Sequence, residues 1–443
     1  MNLSGWGNQP IVETRLERYR DPADAVKRVK AEPELVVRGN GRSYGDPALS
    51  LACVLSALPS SRILRLDLGK GLIRCEAGLM LSDLLDALVP KGWFVPVTPG
   101  TRFVTIGGMV AADVHGKNHH GAGSFCKHVD ELLMVDGHGE LISCSPFENP
   151  DLFQATCGGM GLTGVILEVV FRLKRIETAA IVQETLPAPS LDAVMEQFES
   201  SAHWPYSVAW IDCLTKGQAC GRSLLYVGRH AATEDLPAQR RHPELSYRNP
   251  GSGLSLPFNL PAAALNRWSV RAFNALYYAR GSMKTGPALV DINPFFYPLD
   301  GIQHWNRLYG RRGFTQYQCV LPLAESRKGL KRLLTRIAES GLGSFLAVLK
   351  LLGDKSSGLL SFPRAGYTLA LDFPWNPRAL TLLDELDRIV LEHGGRLYLA
   401  KDARMSPQML EAGYPELARF RAVKRKWDPE GRFNSVQSRR LGI

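Results

Sequence analysis

Four glycine-rich stretches lie within the first 164 residues, and their spacing suggests a ligand-binding surface. The first is Val36-Val37-Arg38-Gly39-Asn40-Gly41-Arg42-Ser43-Tyr44-Gly45-Asp46, directly after an apolar strand pattern. Glycines this close together let the backbone turn tightly and aim its N–H groups inward, which is how a chain cradles a pyrophosphate. The second combines Pro99-Gly100-Thr101 with Ile106-Gly107-Gly108-Met109. The third is His115-Gly116-Lys117-Asn118-His119-His120-Gly121-Ala122-Gly123-Ser124, and the fourth is Gly158-Gly159-Met160-Gly161-Leu162-Thr163-Gly164. One such loop marks only a tight turn. Four in one segment point to a long, phosphate-bearing ligand lying across it.

Other chemistries fit less well. Gly159-Met160-Gly161-Leu162-Thr163-Gly164 has the letters of a dinucleotide fingerprint, yet it precedes the β-branched run Val165–Phe171 where that fingerprint needs a helix. His115, His119 and His120 have only Asp113 as a nearby carboxylate and match no metal-ligand spacing, so no metal is expected. A P-loop and a nucleophile elbow are both missing. Gln316 and Gln318 alternate onto one face of a strand together with Phe314. Two amides there suit docked sugar hydroxyls, or else a solvated sheet face. Lys401 beside Asp402 reads, on its own, as a surface ion pair.

The elements that must hold these residues form two regimes. Up to about residue 179 the pattern gives a helix over Asp21–Ala31 and strands at Glu34–Arg38, Ile63–Leu68 and Leu72–Glu76. A helix over Ser82–Val89 has Ser82 as its expected N-cap, and Leu132–Ser145 reads as a hairpin. Later, strands at Phe314–Val320, Phe345–Leu351, Tyr367–Phe373 and Arg396–Leu399 alternate with helices at Ala324–Ser340 and Asn376–His393. The second helix has Asn376 as N-cap, Pro377 in the first turn, Leu380, Leu383, Leu386 and Val390 on one face, and Gly394 past its end. That β-α-β-β-α-β order is ferredoxin-like, a sheet with helices on one face and an open face able to roof a cleft. Between the regimes, Gly228–Pro287 is rich in Pro, Arg and small residues with an apolar patch at Leu254–Leu265. It reads either as a lid or membrane-contact segment or as a helical insertion.

The 443 residues, 45% hydrophobic and 22% charged, describe a globular protein of two domains. No apolar run approaches the roughly 20 residues of a membrane span, and the first residues lack the pattern of a signal peptide. Eight scattered cysteines suggest apolar fillers in a reducing compartment, hence a cytoplasmic location. The formal charge of +10 comes without a nucleic-acid-binding motif. A phosphate-bearing substrate, an anionic membrane surface or a plain solvated surface each accounts for it.

Together these loops resemble those of FAD-binding oxidases of the vanillyl-alcohol-oxidase and p-cresol-methylhydroxylase (PCMH) type. Within that superfamily the chain is most similar to the oxidase components of decaprenylphosphoryl-β-D-ribose 2′-epimerases. The similarity runs nearly end to end, weakest across Arg229–Val290. It is carried by His115 to Phe125, by Phe314-Thr315-Gln316-Tyr317-Gln318, by Leu399-Ala400-Lys401-Asp402-Ala403-Arg404, and by Arg425-Lys426-Trp427-Asp428-Pro429 with Phe433. The resemblance implies an α+β protein. A two-part PCMH-type FAD domain would span residues 1–179 with 396–443 returning to it, and a ferredoxin-like substrate domain would span 180–395.

It further implies that Arg38, Gly39, Asn40, Gly41, Arg42 and Ser43 hold the FAD pyrophosphate. Gly100, Thr101, Gly107 and Gly108 would line the same channel, with contacts from Asn118, Ile166 and Tyr398. Many superfamily members attach flavin through a histidine where this chain has Arg42, so dissociable FAD is expected. Tyr44, Lys117, Gln316, Gln318 and Lys350 would bind substrate, the two lysines neutralising a phosphate. Lys401 and His115 would be catalytic, with burial lowering the Lys401 pKa so that it takes a hydroxyl proton. The implied reaction oxidises the 2′-hydroxyl of a polyprenylphosphoryl ribose to a keto sugar, and an NAD(P)H-dependent short-chain reductase partner completes an epimerisation. A soluble alditol or aldonolactone oxidase is the alternative. Two departures bear on the substrate: Ala370 stands where the family has a cysteine, and the chain differs around Phe296-Tyr297, where a tyrosine facing the substrate is expected.

Overall fold

Asp21 accepts a hydrogen bond from the Asp24 N–H (2.8 Å) and so starts helix α1 (Pro22–Ala31). Buried Ala25 and Val29 set α1 against a parallel three-stranded sheet of β1 (Arg15–Arg18), β2 (Val36–Arg38) and β3 (Cys53–Ser56), in the order β1-β3-β2. The computed structural model describes the chain except residues 239–244, 248–253, 262–265 and 285. Strand β2 ends at Arg38 and delivers the chain straight into the first glycine loop.

An antiparallel sheet follows, built from β4 (Ile63–Asp67), β5 (Leu72–Glu76), β6 (Val129–Val135), β7 (Leu141–Cys144) and β8 (Val165–Arg172) in the order β7-β6-β8-β5-β4. Strand β8 directly follows Gly164, which explains why the GxGxxG letters at 159–164 make no dinucleotide site. Helices α2 (Leu81–Leu88) and α3 (Ile106–Ala111) pack on this sheet through Leu81, Leu84, Leu85, Ile106 and Met109. Ser82 does not cap α2. The helix begins one residue earlier behind Met80, and the Ser82 hydroxyl donates to Asp83 instead.

Between Ala180 and Leu397 the chain forms one eight-stranded antiparallel sheet from two ferredoxin-like halves. The first half is β9 (Ala180–Ala188), α4 (Leu191–Ser200), β10 (Tyr206–Ile211), β11 (Ser223–His230), α5 (Arg267–Ser282) and β12 (Ala288–Asp291). The second is β13 (Phe314–Pro322), α6 (Leu323–Ser340), β14 (Ala347–Leu352), β15 (Gly366–Pro374), α7 (Pro377–Glu392) and β16 (Arg396–Leu397). Spatial order is β12-β9-β11-β10-β14-β15-β13-β16, so each half has the same 4-1-3-2 pattern and the halves meet edge to edge at β10 and β14. The segment Gly228–Pro287 therefore contains an integral helix, α5; of the apolar patch expected at Leu254–Leu265, residues 262–265 lie outside the described residues.

Period-two alternation decides what the second half does with its two faces. On β13 and β15, Tyr317, Cys319, Leu369, Leu371 and Phe373 are buried under α6 and α7, where Leu330, Leu333, Leu383, Leu386 and Val390 meet them. Each fully buried Leu here contributes roughly 1.5–3 kcal/mol. Leu380 is only half-buried, and Leu382 takes its place on that face of α7. The other face carries Gln316, Gln318, Thr368, Ala370 and Asp372 toward the first domain's glycine loops. The strand expected at Arg396–Leu399 pairs only at Arg396 and Leu397, and a tight turn over Leu399–Lys401 then lifts Lys401 into the space between.

Candidate active site

A cleft of about 320 Å³ runs between the glycine loops and the open face of the large sheet. One wall is almost bare backbone: Gly39, Gly41, Gly107, Gly108, Gly161 and Gly164 alternate with alanines 48, 57, 77, 111 and 112. Among the described residues, no hydrogen bond is made by the N–H groups of Gly39, Asn40, Gly41, Arg42 or Ser43. Five consecutive unpartnered donors make a cradle for an anion such as a diphosphate. The loop is held by its own contacts: Asn40 Nδ2 donates to the Phe103 carbonyl (2.9 Å) and Arg38 donates to the carbonyls of Ser4 (2.7 Å) and Ala48 (3.3 Å). Gly39 must be glycine, because a Cβ would stand 2.3 Å from Thr105 Oγ1, the atom that caps α3. At Gly100 and Gly161, by contrast, a Cβ would meet nothing within 4 Å, so the ligand space continues past them. The unpartnered donors, the thin wall and the length of the groove fit FAD.

The opposite wall is polar. Cross-strand register places Gln316 opposite Asp372, Gln318 opposite Ala370, and Lys350 opposite Thr368. Gln316 Nε2 donates to Asp372 Oδ1 (2.7 Å) and approaches the Tyr44 hydroxyl (3.4 Å). Gln318 Nε2 donates to His115 Nε2 (3.0 Å) and Thr368 Oγ1 (3.2 Å). That bond needs the neutral imidazole, and burial, helped by the charge of Lys350, holds the His115 pKa well below its ordinary value. Its Nδ1 is buried without a partner among the described residues.

Two lysines end in the cleft. Burial lowers Lys350 to about 8 and Lys401 to about 7; for Lys401, the Asp372 carboxylate pulls upward and the Lys350 charge pushes downward. Burial in turn raises Asp372 to about 7. The turn that carries Lys401 is clamped to the first glycine loop. Tyr44 N–H donates to the Ala400 carbonyl (3.1 Å), and Arg440 bridges Asp46 (2.9 Å) and Asp402 (2.7 Å). Asp402 is thus not the Lys401 surface partner that adjacency suggests.

Of the expected site residues, Gly39 to Ser43, Tyr44, Gly100, Thr101, Gly107, Gly108, His115, Ile166, Gln316, Gln318, Lys350, Tyr398 and Lys401 all come to the cleft. Three side chains turn elsewhere. Arg38 is spent on the carbonyls named above, Asn118 donates to the Pro96 carbonyl (2.8 Å), and Lys117 donates to the Phe295 carbonyl with its ammonium 4.4 Å from that ring's centroid. The same holds for His119 and His120, which bond Ser124, the Gly353 N–H and the Trp204 carbonyl. Tyr297 also faces away, its hydroxyl 2.6 Å from Thr98 Oγ1. Residues not anticipated include Trp6, on which the Arg42 guanidinium lies 4.0 Å from the ring centroid, and Trp305, Thr368 and Asp372. Asp372 had a signal: an acid on the open face of an otherwise apolar strand. Trp6 and Trp305 had none, since only the fold brings them in.

Comparison with known proteins agrees with this geometry. Residues 15–145 match the FAD binding domain family, and residues 371–441 match the D-arabinono-1,4-lactone oxidase family. The decaprenylphosphoryl-beta-D-ribose oxidase of Mycolicibacterium smegmatis is 37% identical over 450 aligned residues, covering 100% of this chain and 97% of that one. An uncharacterized Streptomyces coelicolor protein is 35% identical over 82% of this chain and its own full length. The L-gulonolactone oxidase of Bos taurus is 29% identical over 42% of this chain and 41% of its own. The open glycine cradle and the end-to-end match lead to one conclusion: the chain belongs to the decaprenylphosphoryl-β-D-ribose oxidase family, FAD-dependent oxidoreductases with a PCMH-type α+β fold.

Proposed function

We propose that this enzyme oxidises the 2′-hydroxyl of a polyprenylphosphoryl-β-D-ribose-like sugar to the 2′-keto sugar, the first half of an epimerisation to the arabinose form. The observation that carries the reading is the meeting of Lys401, Lys350, Gln316, Gln318 and neutral His115 on the sheet wall facing the glycine cradle. Bound FAD, held without a covalent link because Arg42 replaces the attaching histidine, supplies the hydride acceptor. Lys401, lowered to about 7, has a neutral fraction at working pH and takes the hydroxyl proton. Gln316 and Gln318 orient the sugar, the first fixed by Asp372 and the second by His115 and Thr368. Lys350 offers the positive charge for the phosphate; Lys117, tied to the Phe295 carbonyl, supports the wall from behind. Completing the epimerisation would take a hydride donor that reduces the ketone, an NAD(P)H-dependent short-chain reductase as partner.

The test is an anaerobic visible spectrum of the holoenzyme before and after addition of polyprenylphosphoryl ribose. Bleaching of the flavin bands is expected. Bands that persist with this substrate but bleach with free alditols or aldonolactones would favour the second reading, a soluble sugar oxidase. That reading has its own support in the lactone-oxidase match over residues 371–441.

A further inference from the structure

Helix α5 presents an unusual surface. Val270, Asn274 and Gly281 face the sheet, and the opposite side carries Trp268, Ala272, Leu276, Ala279 and Met283 in exposed positions. Trp268 is 67% exposed, Leu276 69% and Met283 82%, far more than packing onto the sheet would leave. Spacings of four, four, three and four residues place this apolar stripe on one line along the helix. Cations border it on both sides: at 100° per residue, Arg271 falls on one side of the stripe and Arg280 on the other, while Arg267 and Lys284, at the two ends of the helix, fall nearer the sheet-facing line. No acid occurs from Arg267 to Lys284, and none of these four cations makes an ion pair among the described residues. An apolar stripe flanked by cations that make no ion pair among the described residues is complementary to an anionic lipid surface, whose headgroups meet the cations while the stripe enters the acyl boundary.

Continuity with the cleft adds a second observation. Phe273 of α5 stacks on Tyr277 (5.7 Å) and meets Phe345 (5.9 Å), which stacks on Tyr309 (6.0 Å). Tyr309 stacks on Phe314 (4.4 Å), and Phe314 meets Trp305 (5.4 Å), a cleft-wall residue. An unbroken row of aromatic rings thus runs from the exposed helix to the substrate cleft. We propose that the outer face of α5 docks this enzyme on the anionic surface of a lipid bilayer, with the packed aromatic row tying that face rigidly to the wall of the cleft. This deepens the reading of a polyprenyl-linked substrate, but vesicle binding can be read without turnover.

The test sediments the holoenzyme with vesicles of equal parts phosphatidylglycerol and phosphatidylcholine, and with phosphatidylcholine alone. Binding to the anionic vesicles at low salt, weakened at high salt, is expected. The double variants Leu276→Glu with Met283→Glu, and Arg271→Glu with Arg280→Glu, should keep bound FAD and each lower partitioning on the order of 30-fold. Absence of binding by the parent protein, or equal binding by either folded variant, would overturn the docking. A dimer dissolved by Leu276→Glu with no vesicle binding would do the same, assigning the face to a second copy of the chain. Oxidation of detergent-dispersed polyprenylphosphoryl ribose separates the two claims. Turnover without vesicle binding sinks the docking alone, and vesicle binding without turnover sinks the substrate reading alone.

Discussion

The ammonium of Lys401 lies 3.9 Å from the centroid of the Tyr44 ring, so the candidate base rests on a residue of the first glycine loop. Residues 357 positions apart in the chain thereby share one corner of the cleft, and Tyr44 N–H reinforces the contact through the Ala400 carbonyl. This geometry orients the amine, while burial first, and then Asp372 and Lys350, set its charge.

Replacing Lys401 with alanine removes the proton acceptor but none of the cradle. Turnover should fall by about 10²–10⁴ while FAD stays bound, as general-base removal typically costs. Single-turnover flavin reduction alongside the absorbance ratio of flavin to protein checks both parts, and full turnover with FAD retained would remove Lys401 from the mechanism.

The pH dependence follows from the sign of the shift. A base must be neutral, and Lys401 loses its proton as pH rises through about 7, so kcat/KM should climb across that region and level off above it. Because Asp372 also titrates near 7, the limb belongs to the pair. Asp372→Asn removes the charge that raises Lys401 and should move the limb to lower pH. Lys350→Met removes the repulsion that lowers it and should move the limb to higher pH, with a separate rise in KM. Movement of both limbs in one direction would contradict the assignment.

Flavin attachment and the cradle are tested together. Acid precipitation should leave all flavin in the supernatant, since Arg42 cannot form the histidyl link. Gly39→Ala puts a Cβ against Thr105 Oγ1 and should weaken FAD binding at least tenfold, about 1.4 kcal/mol. Titration of apoprotein by flavin fluorescence gives the number.

The clamp behind Lys401 is a stability element. Arg440→Ala would leave the buried Asp46 carboxylate without its cation and Asp402 held only by the Arg404 and Met405 N–H groups and Gln437, and should cost about 3 kcal/mol in urea unfolding. Arg440→Lys, which keeps the charge but loses the two-way fork, should recover only part of it.

What the residues alone determined was local. The glycine spacing gave the cradle because tight turns need small residues in sequence, and the alternation of Gln316 and Gln318 gave the open sheet face because strand geometry has a period of two. Helix α7 was legible through Asn376, whose Oδ1 accepts from the Ala379 N–H, and through Gly394 at positive φ. Tertiary structure decided everything that depends on distant partners. The first ferredoxin-like half was hidden because α5 buries so few of its residues and shows no inward apolar stripe. Arg38, Lys117 and Asn118 have the chemistry of ligand groups, yet backbone carbonyls of Ser4, Ala48, Phe295 and Pro96 claim them, because a buried carbonyl must find a donor wherever the fold brings one. Adjacency offers Asp402 to Lys401 as an ion-pair partner, yet it pairs with Arg440, 38 residues away, a choice made only where the C-terminal segment folds back and Phe433 bridges Leu35.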